Sequence, residues 1–406
     1  MKILQTTLGF YPAVGWGGPV KIVYENSKEL IDRGHQVTVY CTNLMDKKNY
    51  IQKGTYETEI DGIRVVYFHT FRIPQWPGTL GPIWLPDMKK YLDKECQSFD
   101  VIHINGYRNL MNLAVSTAAR RNNVPFVIQP HGGLPIIVNS HFIKRVYDKV
   151  LGGQELLKVG AIIALQESER QQALEHGIPD DLIKIIPNGL NLSSQPKMQT
   201  FGAFRKKYQI PLSSPVILFL GRINKKKGTD MLVKAFSQLL DLDPYLVIAG
   251  PDDGQLEEVK ALIAEYDLQE KVRLTGLLAG EDIASAYQDS DLFALPCRAD
   301  TFPTTILEAC FYELPMVITD RCESADIVKD KVADIVPFDI EAFALGMRRL
   351  IVDRNHYSVY KQNCPKLMQE QFSVSSTVNR LESVYRQVIE KSKLKSSEEM
   401  RNENSF

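Results

Sequence analysis

Short apolar runs, each closed by polar turn residues, alternate with amphipathic stretches along nearly the whole chain. Apolar runs of about four to eight residues read as buried strands, and longer stretches with a 3.6-residue period read as helices. In the first half the predicted strands are Lys2–Thr6, Val37–Cys41, Arg64–Phe68, Val101–Ile104, Phe126–Gln129, Ala161–Leu165 and Ile183–Ile186. Pro19–Arg33 reads as an amphipathic helix, with proline in the first turn, where no N–H is needed, and a stop at Gly34. The alternation then restarts with Val216–Leu220, a helix from Thr229, Tyr245–Ala249, Val272–Leu274, Leu292–Leu295 and Met316–Thr319. Strands that alternate with helices predict parallel sheets covered on both faces.

The two series are joined by IPNGLNLSSQPK (Ile186–Lys197), whose Pro, Asn, Gly and Ser content is that of a hinge. We therefore expect a first α/β domain over residues 1–190 and a second over 191–374. A last helical pattern, 375–395, follows the completed second sheet and is free to pack back on the first domain; 396–406 is a polar tail. Two doubly wound, Rossmann-like parallel-sheet domains in tandem would face each other across a cleft. Ligands of such sheets bind outside the carboxyl ends of the strands.

Composition narrows the function. The chain has 406 residues, 44% hydrophobic and 24% charged, enough for two separate cores. A net charge of −1 argues against a general nucleic-acid binder. The six cysteines are scattered without a CxxC or zinc spacing, as reduced thiols of a cytosolic protein are. MKILQTTLGF is too short in its apolar part for a signal peptide, and no apolar run approaches the ~18 residues of a spanning helix. The expected location is cytoplasmic, with contact at the inner face of a membrane left open.

The residues that follow strands carry the chemistry. Leu218–Asp230 reads LFLGRINKKKGTD. Across that turn Arg222 and Lys227 can converge on one anion, the first as a planar fork and the second as a point charge. A helix starting near Gly228 would add amide donors and a positive dipole end. A solvated lysine loop is the alternative, and it accounts well for Lys225 and Lys226. After Leu292–Leu295 come Asp300 and Glu308; a helix beginning near Thr304 places its first amides beside the cations, and Glu308 can accept from two vicinal hydroxyls. The competing account is a capped helix in which Asp300 or Thr301 satisfies those amides.

In order along the chain stand Gly17-Gly18, RGHQVTVY, DVIHING (Asp100–Gly106), His131-Gly132, IPNGLN, GRINKKKG, LVIAG, V-x-L-x-G at Val272–Gly276, and LP-x5-F-x5-EA ahead of LPMV. This ordered set resembles the family 4 glycosyltransferases, retaining enzymes of the GT-B fold, over most of Met1 to about Asp353. The resemblance implies that Arg222 and Lys227 grip the diphosphate of a nucleoside-diphosphate sugar. It places Asp300 on the sugar hydroxyls, Glu308 on the ribose hydroxyls, and His131 over the transferred sugar. Gly17 and Gly18 would let backbone amides approach the phosphate, and base recognition would fall near Leu277–Leu278, largely through backbone. A glycan or lipid-linked hydroxyl would be the acceptor of a hexosyl group, with no metal and no cofactor beyond the sugar nucleotide.

The chain departs from the family pattern at three places. Asp300 stands where a glutamate is usual and reaches roughly 1.5 Å less far. Pro303 follows Phe302 where glycine is common, so the amides of Thr304 and Thr305 must bind in its stead. Asp326 also replaces a glutamate. These changes bear on the sugar rather than on the diphosphate.

Other features have plainer readings. Asp252-Asp253 in AGPDDG reads as a solvated turn, His103 as a satisfied histidine of core or cleft, and His35 as part of a helix-to-strand turn. Ile73–Leu85 (IPQWPGTLGPIWL) is either a buried Ω-like loop or an apolar lip for a lipid-linked acceptor. Ile137–Leu157, with Lys144, Arg145 and Lys149 among apolar residues, is either a core-facing helix or an anionic-interface contact. Three rival functions compete with this reading. A dehydrogenase fails because Gly15-Trp-Gly-Gly18 lacks the dinucleotide-binding glycine spacing. A nucleotide-sugar epimerase and a non-catalytic sugar-nucleotide binder stay as alternatives.

Overall fold

The computed structural model describes every residue except 14–15, 17, 47–48, 73–82, 135–157, 197–199 and 404–406. It divides into two units: Met1–Gly189 together with Val374–Phe406, and Leu190–Ser373.

The strands of unit one, in chain order, are β1 Lys2–Thr7, β2 Gln36–Thr42, β3 Tyr56–Ile60, β4 Ile63–Phe68, β5 Phe71–Arg72, β6 Ile83–Trp84, β7 Val101–Asn105, β8 Phe126–Gln129, β9 Ala161–Ala164 and β10 Ile183–Ile185. Eight of them form one sheet in the order β10-β9-β8-β7-β1-β2-β4-β3, while β5 and β6 make a separate ribbon. All neighbours in the large sheet are parallel except β3 and β4. Chain direction across the sheet reverses between β1 and β7, so their carboxyl ends define a switch point.

Inside the β3 edge, the strands of this sheet are largely apolar on both faces, as helix-covered parallel strands are. One patch breaks the rule. Gln5 pairs in register with His103, and Asn105 with Gln129. Register and the two-residue period put all four side chains on one face, and all four are buried. Over that face lies the terminal helix Val374–Glu403, with Val378, Leu381, Val384, Tyr385 and Val388 in the same core cluster as Ile3, Val101 and Val127.

That helix is held to the end of the helix Gly18–Asp32. Arg33 donates to Glu382 at 3.0 Å and to the Ser375 carbonyl at 3.0 Å, and His35 pairs with the same glutamate. His35 thus acts in docking as well as in its turn. The helix also continues to Glu403, into the segment read as a polar tail. No glycine or proline interrupts it, and Lys, Glu and Met favour helix.

Unit two contains β11 Val216–Leu220, β12 Tyr245–Ala249, β13 Val272–Gly276, β14 Leu292–Leu295, β15 Met316–Thr319 and β16 Ala333–Val336. They form a fully parallel sheet in the order β13-β12-β11-β14-β15-β16, with its switch point between β11 and β14. Beyond the short β5 and β6, two strands of the large sheets escaped the sequence pattern. β3, YETEI, is a largely exposed edge, and β16, ADIV, carries Asp334, whose carboxylate accepts from His356 and Tyr360, each at 2.9 Å.

Candidate functional site

The site of unit two is assembled from the residues that leave β11 and β14. The β11 exit is tied to the β12 exit: the Gly221 amide donates to the Ala249 carbonyl at 2.9 Å, and Ile223 to Pro251 at 2.9 Å. Asn224 then caps a single turn, Lys225–Lys227, its side-chain oxygen accepting from the Lys227 amide at 3.2 Å. Gly228 follows with φ 70°, and the helix Thr229–Phe236 begins. A Cβ at Gly228 would stand 1.9 Å from the Pro296 carbonyl oxygen. Only glycine lets the β14 exit pass so close in that backbone conformation.

The two exits are further joined by Arg298. Its guanidinium meets the Asp230 carboxylate through both forks, at 2.7 and 2.5 Å, donates to the Lys225 carbonyl at 2.8 Å, and lies 5.0 Å from the Phe338 ring centre. Burial raises the Asp230 carboxyl's proton affinity, but the guanidinium outweighs it and leaves the group below its ordinary range.

This frame brings Lys227 to Asp300, and the two form a half-buried ion pair. The Asp300 carbonyl accepts from the Glu323 amide at 2.8 Å, which fixes its backbone. The next helix, Thr304–Phe311, starts from Pro303, whose side chain offers no cap. The Thr305 hydroxyl is buried without a partner among the described residues, and Phe302 packs on the edge of the core. Glu308 accepts from the Tyr287 hydroxyl at 3.1 Å, and Tyr287 stacks on Tyr312 with ring centres 5.2 Å apart. Burial, reinforced by the Glu308 charge, keeps the Tyr287 hydroxyl protonated.

Arg222 does not share a partner with Lys227. It is 62% exposed and donates to Asp253 at 3.0 Å, while Asn224 donates to the same carboxylate oxygen at 2.8 Å. Asp252 accepts from the amides of Gly254, Gln255 and Leu256, which makes it the cap of the helix Leu256–Glu265. The Asp252-Asp253 turn is therefore a capping turn that also anchors Arg222. Leu278 is buried and Leu277 is 74% exposed.

In unit one, Gly18 opens the helix Gly18–Asp32, while Gly17 lies outside the described residues. His131 follows β8 in the left-handed region, φ 51°, and its Nε2 lies 2.9 Å from the Asn105 side-chain oxygen. The Gly132 amide donates to Glu169 at 2.7 Å, and the other oxygen of that buried carboxylate accepts from the Leu165 amide at 2.7 Å. Arg108 donates to the carbonyls of Gly133 and Leu134. Burial pushes the His131 imidazole down to about 4. His103 is a core residue, but only its Nδ1 is satisfied, by the Tyr385 hydroxyl at 2.6 Å; its buried Nε2 has no partner among the described residues.

Sequence reasoning passed over Arg298, Tyr287, Asn105, Arg108 and Glu169. Asn105 and His103 stood in the quoted DVIHING, where two polar residues inside a buried strand were the available signal. Most of Ile73–Leu85 and all of Ile137–Leu157 lie outside the described residues, as does Lys197. Among the described residues no group of three or more His, Cys, Asp or Glu is placed to hold a metal ion, and no helix is long and apolar enough to cross a membrane.

Two doubly wound sheets on one chain, the second with cations and a helix start at its switch point, define the GT-B class of sugar-nucleotide enzymes. Residues 16–194 match the profile of Glycosyltransferase Family 4, and residues 201–367 that of Glycosyl transferases group 1. The chain belongs to this family of glycosyltransferases, enzymes that use nucleotide-sugar donors. It is 26% identical over 328 residues to the D-inositol 3-phosphate glycosyltransferase of Kineococcus radiotolerans, covering 75% of this chain and 74% of that one. It is 23% identical to the uncharacterized glycosyltransferase MJ1069 of Methanocaldococcus jannaschii, over 92% of this chain and 95% of that one. Among solved structures, a glycosyltransferase from Rickettsia africae superposes with TM-score 0.73 at 19% identity, covering 96% of this chain and 98% of its own. Anabaena Alr3699/HepE, in complex with UDP and glucose, superposes with TM-score 0.72 at 19% identity, covering 94% and 98%. At such identities the superpositions establish the fold.

Proposed function

We propose that the chain is a retaining hexosyltransferase that moves a sugar from a nucleoside diphosphate to a hydroxyl of a glycan or lipid-linked acceptor in polysaccharide or glycolipid synthesis. The observation that carries this reading is the β11/β14 switch point. There the Lys227 ammonium pairs with Asp300, on the segment that leads into the helix Thr304–Phe311 carrying Glu308, and the exposed Arg222, paired with Asp253, leaves the same strand exit.

As the bond from sugar to diphosphate breaks, negative charge grows on the leaving group. Lys227 and the amides of Thr304 and Thr305 stand in place before that charge appears, Arg222 joins them from its exposed position, and together they bind the charge more tightly than the ground state, which lowers the barrier. They supply this stabilisation without requiring a metal or a further cofactor. Asp300 meets the sugar hydroxyls, Glu308 the ribose, and backbone near Leu277–Leu278 the base, with Gly17 and Gly18 approaching the phosphate. A front-side attack, in which a leaving phosphate oxygen takes the acceptor proton, retains the anomeric configuration and requires no protein base. His131 meets a hydroxyl of the substrate as a neutral ring. Support for a lipid or polyol acceptor comes from relatives: one is named for D-inositol 3-phosphate, and WaaG, of the same fold, for lipopolysaccharide biosynthesis. The enzyme would then work in the cytoplasm, touching the membrane face where such acceptors reside.

The test is turnover with a panel of labelled nucleotide sugars, in wild type, Lys227→Ala and Arg222→Ala. The variants are expected to fold and to lose on the order of 10²–10³ in rate. Wild-type rates in both would overturn the assignment. Epimerised sugar, or binding without turnover, would select one of the two alternatives.

A further inference from the structure

We propose that Asn105 is a positioning residue: its side-chain oxygen holds the His131 proton on Nε2 and leaves Nδ1 bare, as a hydrogen-bond acceptor for a substrate hydroxyl. The role given to His131 rests on the reading above; the proton assignment does not.

A row of buried amides sets the tautomer. Asn105 Nδ2 donates to Gln5 Oε1 at 2.8 Å. The same amide must therefore present its other head, Oδ1, to His131 Nε2 at 2.9 Å. An amide oxygen only accepts, so Nε2 carries the proton. The ring is neutral at ordinary pH, because burial has pushed it down to about 4, and a neutral imidazole has one N–H. Nδ1 takes no partner among the described residues.

The surroundings keep the ring in this state. Asn105, Gln5 and His103 are 5%, 1% and 1% exposed, so water does not compete for their hydrogen bonds. The titratable and charged groups packed around His131 are His103 on β7, Glu169 on the Gly132 amide, Arg108 on the next carbonyls, and Tyr385 from the terminal helix on His103. Glu169 and Arg108 bond to backbone on either side of the ring, Glu169 to the Gly132 and Leu165 amides and Arg108 to the Gly133 and Leu134 carbonyls, and so hold the turn in its left-handed conformation. The ring itself answers to Asn105. Were both amides turned over, an N–H would face Nε2 and the proton would move to Nδ1, reversing what His131 offers the substrate.

The experiment is long-range 1H–15N correlation on the 15N-labelled full chain near pH 7, with the His131 signals assigned by their loss in His131→Gln. Wild type should show a protonated Nε2 and a bare Nδ1; a protonated Nδ1 overturns the proposal. Asn105→Leu should release the ring into a mixture of tautomers and lower kcat/KM for transfer about tenfold, the worth of one hydrogen bond. An unchanged tautomer in that variant also overturns the proposal. Asn105→Asp keeps the shape and the acceptor but adds a charge. It should retain Nε2–H, raise the imidazole's proton affinity and make kcat fall toward acid pH where wild type is flat. Urea midpoints confirm that each variant is folded. If the tautomers behave as expected while both Asn105 variants transfer sugar at wild-type rates, the catalytic role of His131 falls and the proton assignment stands.

Discussion

At the scale of single residues, the ion pair of Lys227 and Asp300 is informative. An ammonium expected to hold a diphosphate is already matched by a carboxylate on the neighbouring strand exit, so the two anions compete for it. Asp300→Asn should tighten binding of free nucleoside diphosphate by roughly three- to tenfold, the worth of a half-buried pair, while lowering transfer. Titration calorimetry on the two proteins reads this directly, and weaker binding in the variant would show that Asp300 orders Lys227 instead. His103 makes a second prediction. Burial, aided by the nearby His131, depresses its imidazole to about 3. In the unfolded chain the same group titrates near ~6.5. Between these values the unfolded chain binds the extra proton, so stability is complete above about pH 6.5 and declines as pH falls toward 3, by about 1.4 kcal/mol per pH unit from this residue. Urea unfolding of wild type at pH 6.5 and 5.0 should therefore differ by about 2 kcal/mol more than that of His103→Leu. Equal differences would mean that the buried ring does not govern acid sensitivity.

At the scale of elements, most of the scaffold was legible. Phe126–Gln129, Val216–Leu220, Tyr245–Ala249, Leu292–Leu295 and Met316–Thr319 begin and end where the apolar runs do, because a strand covered on both faces has no solvent side to blur the pattern. Gly228 and the cations beside it were equally visible, since a glycine at a strand exit next to Lys and Arg has few other uses. Arg298 was not. Its importance depends on β11 and β14 being neighbours, and strand order is a property of the folded sheet that local sequence does not encode. Asn105 stayed hidden for a similar reason: its partner Gln5 lies on β1, far away in sequence. Arg298 yields the prediction at this scale. Its bidentate bond to Asp230, which is only 9% exposed, clamps the Asp300 loop to the helix after Lys227. Arg298→Leu removes that clamp and leaves a nearly buried carboxylate alone. It should cost about 2 kcal/mol of stability and weaken nucleoside-diphosphate binding, although Arg298 itself is not assigned a ligand contact. Denaturant unfolding and calorimetry on one preparation test both; full affinity in a destabilised variant would separate the clamp from the site.

At the scale of the whole molecule, the chain closes its first unit with its last helix. Among the described residues, the core of Leu190–Ser373 draws on none outside that span, whereas the first unit's core takes Val374, Val378, Leu381, Val384, Tyr385 and Val388 from the terminal helix. Sequence patterning could delimit that helix but not say which face it covers, because its apolar stripe fits any sheet. The asymmetry predicts how fragments behave. Each fully buried large side chain contributes about 1.5–3 kcal/mol, so losing six such contacts removes on the order of 10 kcal/mol. Domains are stable by only about 5–15 kcal/mol. Residues 1–189 alone should accordingly lack a cooperative urea transition, and should regain one when 374–406 are fused back through a flexible linker. Residues 190–373 should unfold cooperatively by themselves and bind a nucleoside diphosphate measurably, because Lys227, Arg222 and the Thr304 amides all lie on this unit. A cooperative transition in the 1–189 fragment would mean that the terminal helix is an accessory to the first sheet rather than part of its core, and the hydrogen bonds of Glu382 and Tyr385 would then have to be explained by docking alone.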